Sequence, residues 1–152
     1  MNVINENLEL IIPNVDSLHL DIMDGKFVKN MAFTPDEINA MKYFIPKHVH
    51  IMSRDINTYV DQLQEVTSIS FHYEATDDLK SQIKYIKDKD IQVGVVINPE
   101  TEVDVLTPVM GQLDRIVLMA VNPGFSGQRY IPSTSGKIIQ IRKKFVSKII
   151  CQ

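Results

Sequence analysis

Beyond residue 15 the chain alternates short apolar runs with longer stretches in which apolar residues recur at helical spacing. The runs at 17–23, 48–52, 68–72, 92–97 and 115–120 are short and rich in Val, Ile and Phe, which predicts five β-strands. Between them the helical period predicts helices over 56–65, with Asp55 as N-cap, 78–88, 102–110 and 132–145, and a short one over 36–43. Strand and helix in strict alternation is the pattern of βαβ units around a parallel sheet. An α/β fold in one domain is the expectation, because no Gly-, Ser- or Pro-rich linker divides the chain.

The ends of the pattern look cut. The segment LELIIPNVDS reads as the end of a helix leading into a strand, with no strand ahead of it, and IRKKFVSKIICQ reads as chain stopping after a helix. An eight-stranded (β/α) barrel needs about 200 to 250 residues, and this chain has 152. A partial barrel with about five parallel strands is therefore expected, lacking its first strand and last two βα units.

Composition narrows the function classes. Hydrophobic residues make up 44% and charged residues 23%, as in an ordinary globular protein. The net charge of −3 comes without any basic block, which argues against a nucleic-acid partner. No apolar window approaches a membrane span and the first ten residues carry no basic n-region, so a soluble, cytoplasmic protein is expected. The single cysteine, Cys151, forms no internal disulfide, in keeping with a reducing compartment.

The polar residues at the strand ends carry the candidate chemistry. In HLDIMDGKFVKN, His19, Asp21 and Met23 share one parity along a strand and point to one face. An imidazole and a carboxylate so placed either share a divalent ion or form a hydrogen-bonded pair in a polar barrel mouth. In the next strand His48, His50 and Met52 again share a parity, which makes a further imidazole available. His72 and Glu74 close the third strand, where a supporting hydrogen-bonded pair is the plainer reading. The loop NPGFSGQRYIP contains glycines that would let backbone N–H groups approach a phosphate, although many βα turns need glycine for conformation alone. Asn98 and Pro99 read as a Pro-shaped loop.

Taken together and in order, HLDIMDGKFVKN, HIM, FHYEAT, VGVVINPET and LMAVNPGFSGQRYIP resemble the ribulose-phosphate 3-epimerase family, from about Val15 to about Lys144. The resemblance implies a (β/α)₈ barrel of the ribulose-phosphate-binding type, an isomerase that inverts C3 of ribulose 5-phosphate to give xylulose 5-phosphate, and a divalent metal (Zn, Fe, Mn or Co). It implies Asp21 as a catalytic proton acceptor and metal ligand, with His19 and His50 as the metal histidines. Substrate contacts are implied for His50, Met23, Met52 and Met119, and for Gly124, Phe125, Ser126 and Gly127 in the phosphate-facing loop. The expected partner is a phosphosugar; neither nucleic acid nor membrane is expected, and a homo-oligomer is compatible with the sequence.

The sequence also departs from the family pattern. The family's second aspartate, the acid for the opposite face, belongs to a V-D-G-G segment that does not occur here, so the chain alone is expected to be inactive or nearly so. Lys29, His48, Ser53 and Ser126 stand where the family usually has Pro, Asp, Val and Gly. Two alternatives stay open: the sister activity on allulose 6-phosphate, and a non-catalytic remnant serving as a metal-binding or interaction module.

Overall fold

A computed structural model describes residues 2–144 and 149–151. Helix α1 (Asn2–Ile11) and a 3₁₀ turn (Ile12–Asn14) lead into strand β1 (Leu18–Met23). There follow α2 (Pro35–Asn39), β2 (Lys47–Met52), α3 (Ile56–Gln62), β3 (Ser68–His72), α4 (Leu79–Lys87), β4 (Gln92–Ile97), a 3₁₀ segment (Val103–Gln112), β5 (Arg115–Leu118), α5 (Thr134–Lys144) and β6 (Ile149–Cys151). The strands form one open, wholly parallel sheet in sequence order, β1 through β6. This is the partial-barrel α/β architecture expected. Among the described residues no helix is long and apolar enough to cross a membrane.

Several expectations need correction. A sixth parallel strand, β6, pairs with β5 where the sequence was expected to stop after a helix; its three residues are too few to set a period of their own. Residues 102–110 do not make an α-helix but part of a longer 3₁₀ segment, because Pro108 has no N–H to donate and its ring crowds the carbonyl four residues back. Asp55 is the N-cap residue of α3, as expected, but its side chain makes no capping bond to the backbone; its Oδ1 instead accepts from the Thr58 hydroxyl at 2.8 Å. The helices at 36–43 and 56–65 also end early. The Asn39 side chain donates to the Gln62 carbonyl and accepts from Gln64 N–H, tying the two helix ends together where each would otherwise continue. Phe145, expected to end the last helix, lies outside the described residues.

Other helix ends follow local chemistry. Thr34 and Glu37 form a reciprocal capping box ahead of Pro35, the first residue of α2. Asp78 accepts from Ser81 N–H at the start of α4, and Lys84 and Lys87 sit in its last turn, opposite the negative end of the helix dipole.

Parity divides the sheet into two environments. Leu18, Leu20 and Ile22 of β1, Ile69 and Phe71 of β3, and their equivalents on the other strands face the helices and merge with Ile38, Ile83, Leu106 and Ile141 in one large apolar core. The opposite parity builds the barrel interior, where Val96, Val117 and Met119 form a separate small cluster and the rest is mostly polar. The interior is tight at Gly94, which stands between Ser70 and Arg115 in the strand register. A Cβ at residue 94 would run into the Ser70 hydroxyl oxygen and lie 3.3 Å from the Arg115 Cβ. Gly94→Val is therefore expected to cost about 1–3 kcal/mol through overpacking. Urea unfolding reads this as a lower midpoint; an unchanged midpoint would show that the interior can give way.

Candidate metal centre and substrate cleft

Parallel pairing of β1 with β2 sets His19 opposite His48, Asp21 opposite His50 and Met23 opposite Met52, all on the interior face. His19 Nε2 lies 3.1 Å from Asp21 Oδ1, and His50 Nδ1 lies 3.2 Å from the same oxygen. One donor atom from each of the three side chains falls within 4.8 Å of the others. The expected ligands thus converge.

His48 does not join them. Its Nδ1 pairs with the Ser68 hydroxyl at 2.7 Å, toward the amino-terminal end of the strands. Burial, helped by the Arg115 charge, holds its pKa below the ordinary histidine value.

Burial opposes ionisation of Asp21, yet the adjoining His19 and His50 rings outweigh it and hold the carboxyl well below the usual range. Burial also dominates at His50 and lowers its pKa to about 4 against the pull of Asp21, so the ring is neutral at neutral pH. A metal-ligating imidazole must be neutral. The His50 Nδ1 atom is buried and makes no hydrogen bond, for its approach to Asp21 lacks the required geometry. An unpartnered buried nitrogen facing a carboxylate oxygen, with a second imidazole alongside, is a donor set that suits a borderline divalent cation. The residues fit a metal.

Behind His50 the polar contacts continue. Its Nε2 lies 3.0 Å from His72 Nε2, the two rings meeting edge to edge with planes 24° apart and centroids 5.0 Å apart. His72 Nδ1 lies 3.3 Å from Glu74 Oε2. Glu74 Oε1 accepts from Asn98 N–H at 2.9 Å and from the Thr101 hydroxyl. Burial raises and these hydrogen bonds lower the Glu74 pKa, which ends at about 2. Asn98 therefore does more than shape a loop: its backbone amide anchors the carboxylate.

In front of the triad opens a cleft of about 460 Å³ lined by His19, Asp21, Met23, His50, Met52, Met119, Gly124, Phe125 and Ser126, and by Asn30, Ala32, Phe33, Val121 and Asn122. Of the ten residues expected in the site, Gly127 alone stands outside this lining; it adopts φ +73° on the loop beyond. The five unforeseen residues lie on the loops after β1 and β5, and the signal for them was position: both loops leave the carboxyl ends of their strands, the first just past Asp21 and the second at Met119.

Those loops are locked together. Asn30 Nδ2 donates to the Gly124 carbonyl at 2.9 Å across 94 residues of sequence. Gly124 has φ +112°, and a Cβ there would come within 3.0 Å of the Val28 Cβ, so both backbone conformation and closeness require glycine. Asp24 folds the first loop by accepting from Lys26 and Phe27 N–H at 2.8 Å. Gln128 braces the second by donating to the Asn122 and Phe125 carbonyls. Helix α5 begins at Thr134, two residues later than the helical period predicted.

The fold and these donors define a class: a parallel (β/α) protein with a histidine–aspartate–histidine group able to hold a divalent ion at the carboxyl ends of its strands. Comparison with known proteins refines it. The chain belongs to the ribulose-phosphate 3-epimerase family, which matches residues 3–151. It is 34% identical over 134 residues to the ribulose-phosphate 3-epimerase of Buchnera aphidicola subsp. Schizaphis graminum, covering 85% of this chain and 59% of that protein. To the Bacillus subtilis enzyme of the same name it is 35% identical over 143 residues (91% and 66%). To that of Escherichia coli K12 it is 31% identical over 144 residues (91% and 64%). The chain spans about three-fifths of the length of these relatives.

Proposed function

We propose that this chain binds a ketose phosphate such as ribulose 5-phosphate in the cleft and uses Asp21 to take the proton from C3. The observation that carries the reading is a single ionised carboxylate, clamped between two imidazoles and facing that cleft. A carboxylate that is charged at neutral pH is ready to accept a proton, and loss of a proton next to a ketone leaves a planar enediolate. His19, Asp21 and His50 would hold a divalent ion, Zn, Fe, Mn or Co, which supplies positive charge opposite the negative charge developing on the substrate oxygens. Met23, Met52 and Met119 give the cleft a polarisable apolar wall. The glycine-bearing loop at 124–127 would face the phosphate with backbone N–H groups.

Epimerisation needs a second acid on the opposite face of the enediolate. Among the described residues lining the cleft, Asp21 is the one carboxylate. The expected outcome for this chain is therefore exchange of the C3 proton with little inversion. In D₂O, mass spectrometry should find deuterium at C3 of ribulose 5-phosphate well in excess of xylulose 5-phosphate, and Asp21→Asn should abolish it. Xylulose 5-phosphate formed at an ordinary enzymatic rate, about 1–1000 per second, would sink the one-base reading. No exchange with metal present would sink the assignment of Asp21.

A further inference from the structure

We propose that Glu74 and His72 are positioning residues that fix the tautomer of His50, leaving a bare Nδ1 lone pair pointed at Asp21 and the metal position. The inference rests on the metal reading above but is carried by atoms outside the triad. Two Nε2 atoms 3.0 Å apart must share one proton, so either His50 or His72 donates. Glu74 decides which. Its Oε1 is taken by Asn98 N–H and the Thr101 hydroxyl, while Oε2 faces His72 Nδ1.

If His72 donated to His50 through Nε2, the neutral His50 would carry its proton on Nδ1, whose approach to Asp21 lacks hydrogen-bond geometry, and His72 would turn a bare Nδ1 toward Glu74 Oε2 although that contact does have the geometry of a hydrogen bond. With the proton on His72 Nδ1 the contact becomes a charge-assisted hydrogen bond. His72 Nε2 then accepts from His50 Nε2–H. The His50 proton is thereby assigned to Nε2, and the buried Nδ1 that lacks a hydrogen bond is a lone pair. A bare nitrogen 3.2 Å from a carboxylate oxygen is the arrangement a cation between them would complete. Phe27, its ring centroid 5.1 Å from that of His72, packs on the relay. Lys137 Nζ donates to the Thr101 and Pro99 carbonyls at 2.6 Å, which holds the segment that anchors Glu74. Outer partners of this kind orient a ligating histidine and typically govern metal affinity.

The test begins with long-range ¹H–¹⁵N correlation spectra of the metal-free full chain, whose four histidines keep assignment tractable. The expected result is His50 protonated on Nε2 and His72 on Nδ1; His50 protonated mainly on Nδ1 overturns the proposal. Zn²⁺ titration then compares variants, each first checked for wild-type circular dichroism. Glu74→Gln and His72→Leu should each weaken zinc binding about 10- to 100-fold. His72→Gln keeps an amide oxygen as acceptor near the position of Nε2 and should recover most of the loss. Equal losses in His72→Leu and His72→Gln would mean that His72 only fills space and would overturn the proposal. A chain with the expected tautomers that binds no zinc upholds the relay and overturns the metal reading. Zinc binding with the tautomers reversed overturns the relay alone.

Discussion

Zn²⁺ or Mn²⁺, added to the purified chain at about a hundred times its dissociation constant, is expected to raise the unfolding free energy by about 2.7 kcal/mol. In a chain of 152 residues that gain moves the melting temperature up by roughly 5–11 °C. The expectation follows from geometry present without metal: three donors already gathered within 4.8 Å leave little ordering to be done on binding. His19→Ala and His50→Ala should each remove most of the shift, for different structural costs. His19 is 41% exposed, so its loss removes a ligand and little packing. His50 is wholly buried, so His50→Ala should also lower the melting temperature of the metal-free protein. Melting followed by circular dichroism, with and without metal, separates the two effects. An undiminished metal shift in both variants would mean that the ion binds elsewhere.

A second large effect concerns acid. His50 has its pKa lowered from 6.5 to about 4 by burial, so the folded chain resists a proton that the unfolded chain accepts. The stability associated with the neutral ring is fully present above pH 6.5 and is lost progressively as the pH falls toward 4. The loss is on the order of 3 kcal/mol for the metal-free protein. Asp21 and Glu74 act lower down: their depressed values stabilise the fold above the ordinary carboxylate range and lose that contribution in stronger acid. Urea midpoints measured between pH 7.5 and 4 should therefore decline first through His50. His50→Gln should be less stable at pH 7.5 yet flatter across this window, and an unchanged slope in that variant would remove His50 as the cause.

Much of this architecture was legible in the sequence because the strands announce themselves twice. Val93, Val95 and Ile97 pack against helices while Val96 faces inward, so β4 reads as an unbroken apolar run; in β1 the inward parity is polar and the alternation is plain. The ligands were legible for the same reason, since His19, Asp21 and His50 stand on inward parities at matching heights of neighbouring strands. What was not legible depended on contacts between strands or on single backbone atoms. Asn39 stops two helices by bonds to residues more than twenty positions away, which no local period records. Pro108 stands inside the stretch whose apolar period predicts an α-helix, and it turns that stretch into 3₁₀ turns. The contact between His50 Nε2 and His72 Nε2 joins two strands diagonally and becomes visible only once the register is known. The Asn30 bond to Gly124 is of the same kind.

The division of the sheet by parity also guards the register. A slip of one residue in β1 would turn His19 and Asp21 toward the apolar helices and send Leu18, Leu20 and Ile22 into the cleft. Such a misfolded sheet would strand a carboxylate in hydrocarbon and expose its best core residues in the same movement. The chemistry and the core thus proofread one another: the strand alignment that buries the most apolar surface is the one that assembles the ligands, and selection on either preserves both.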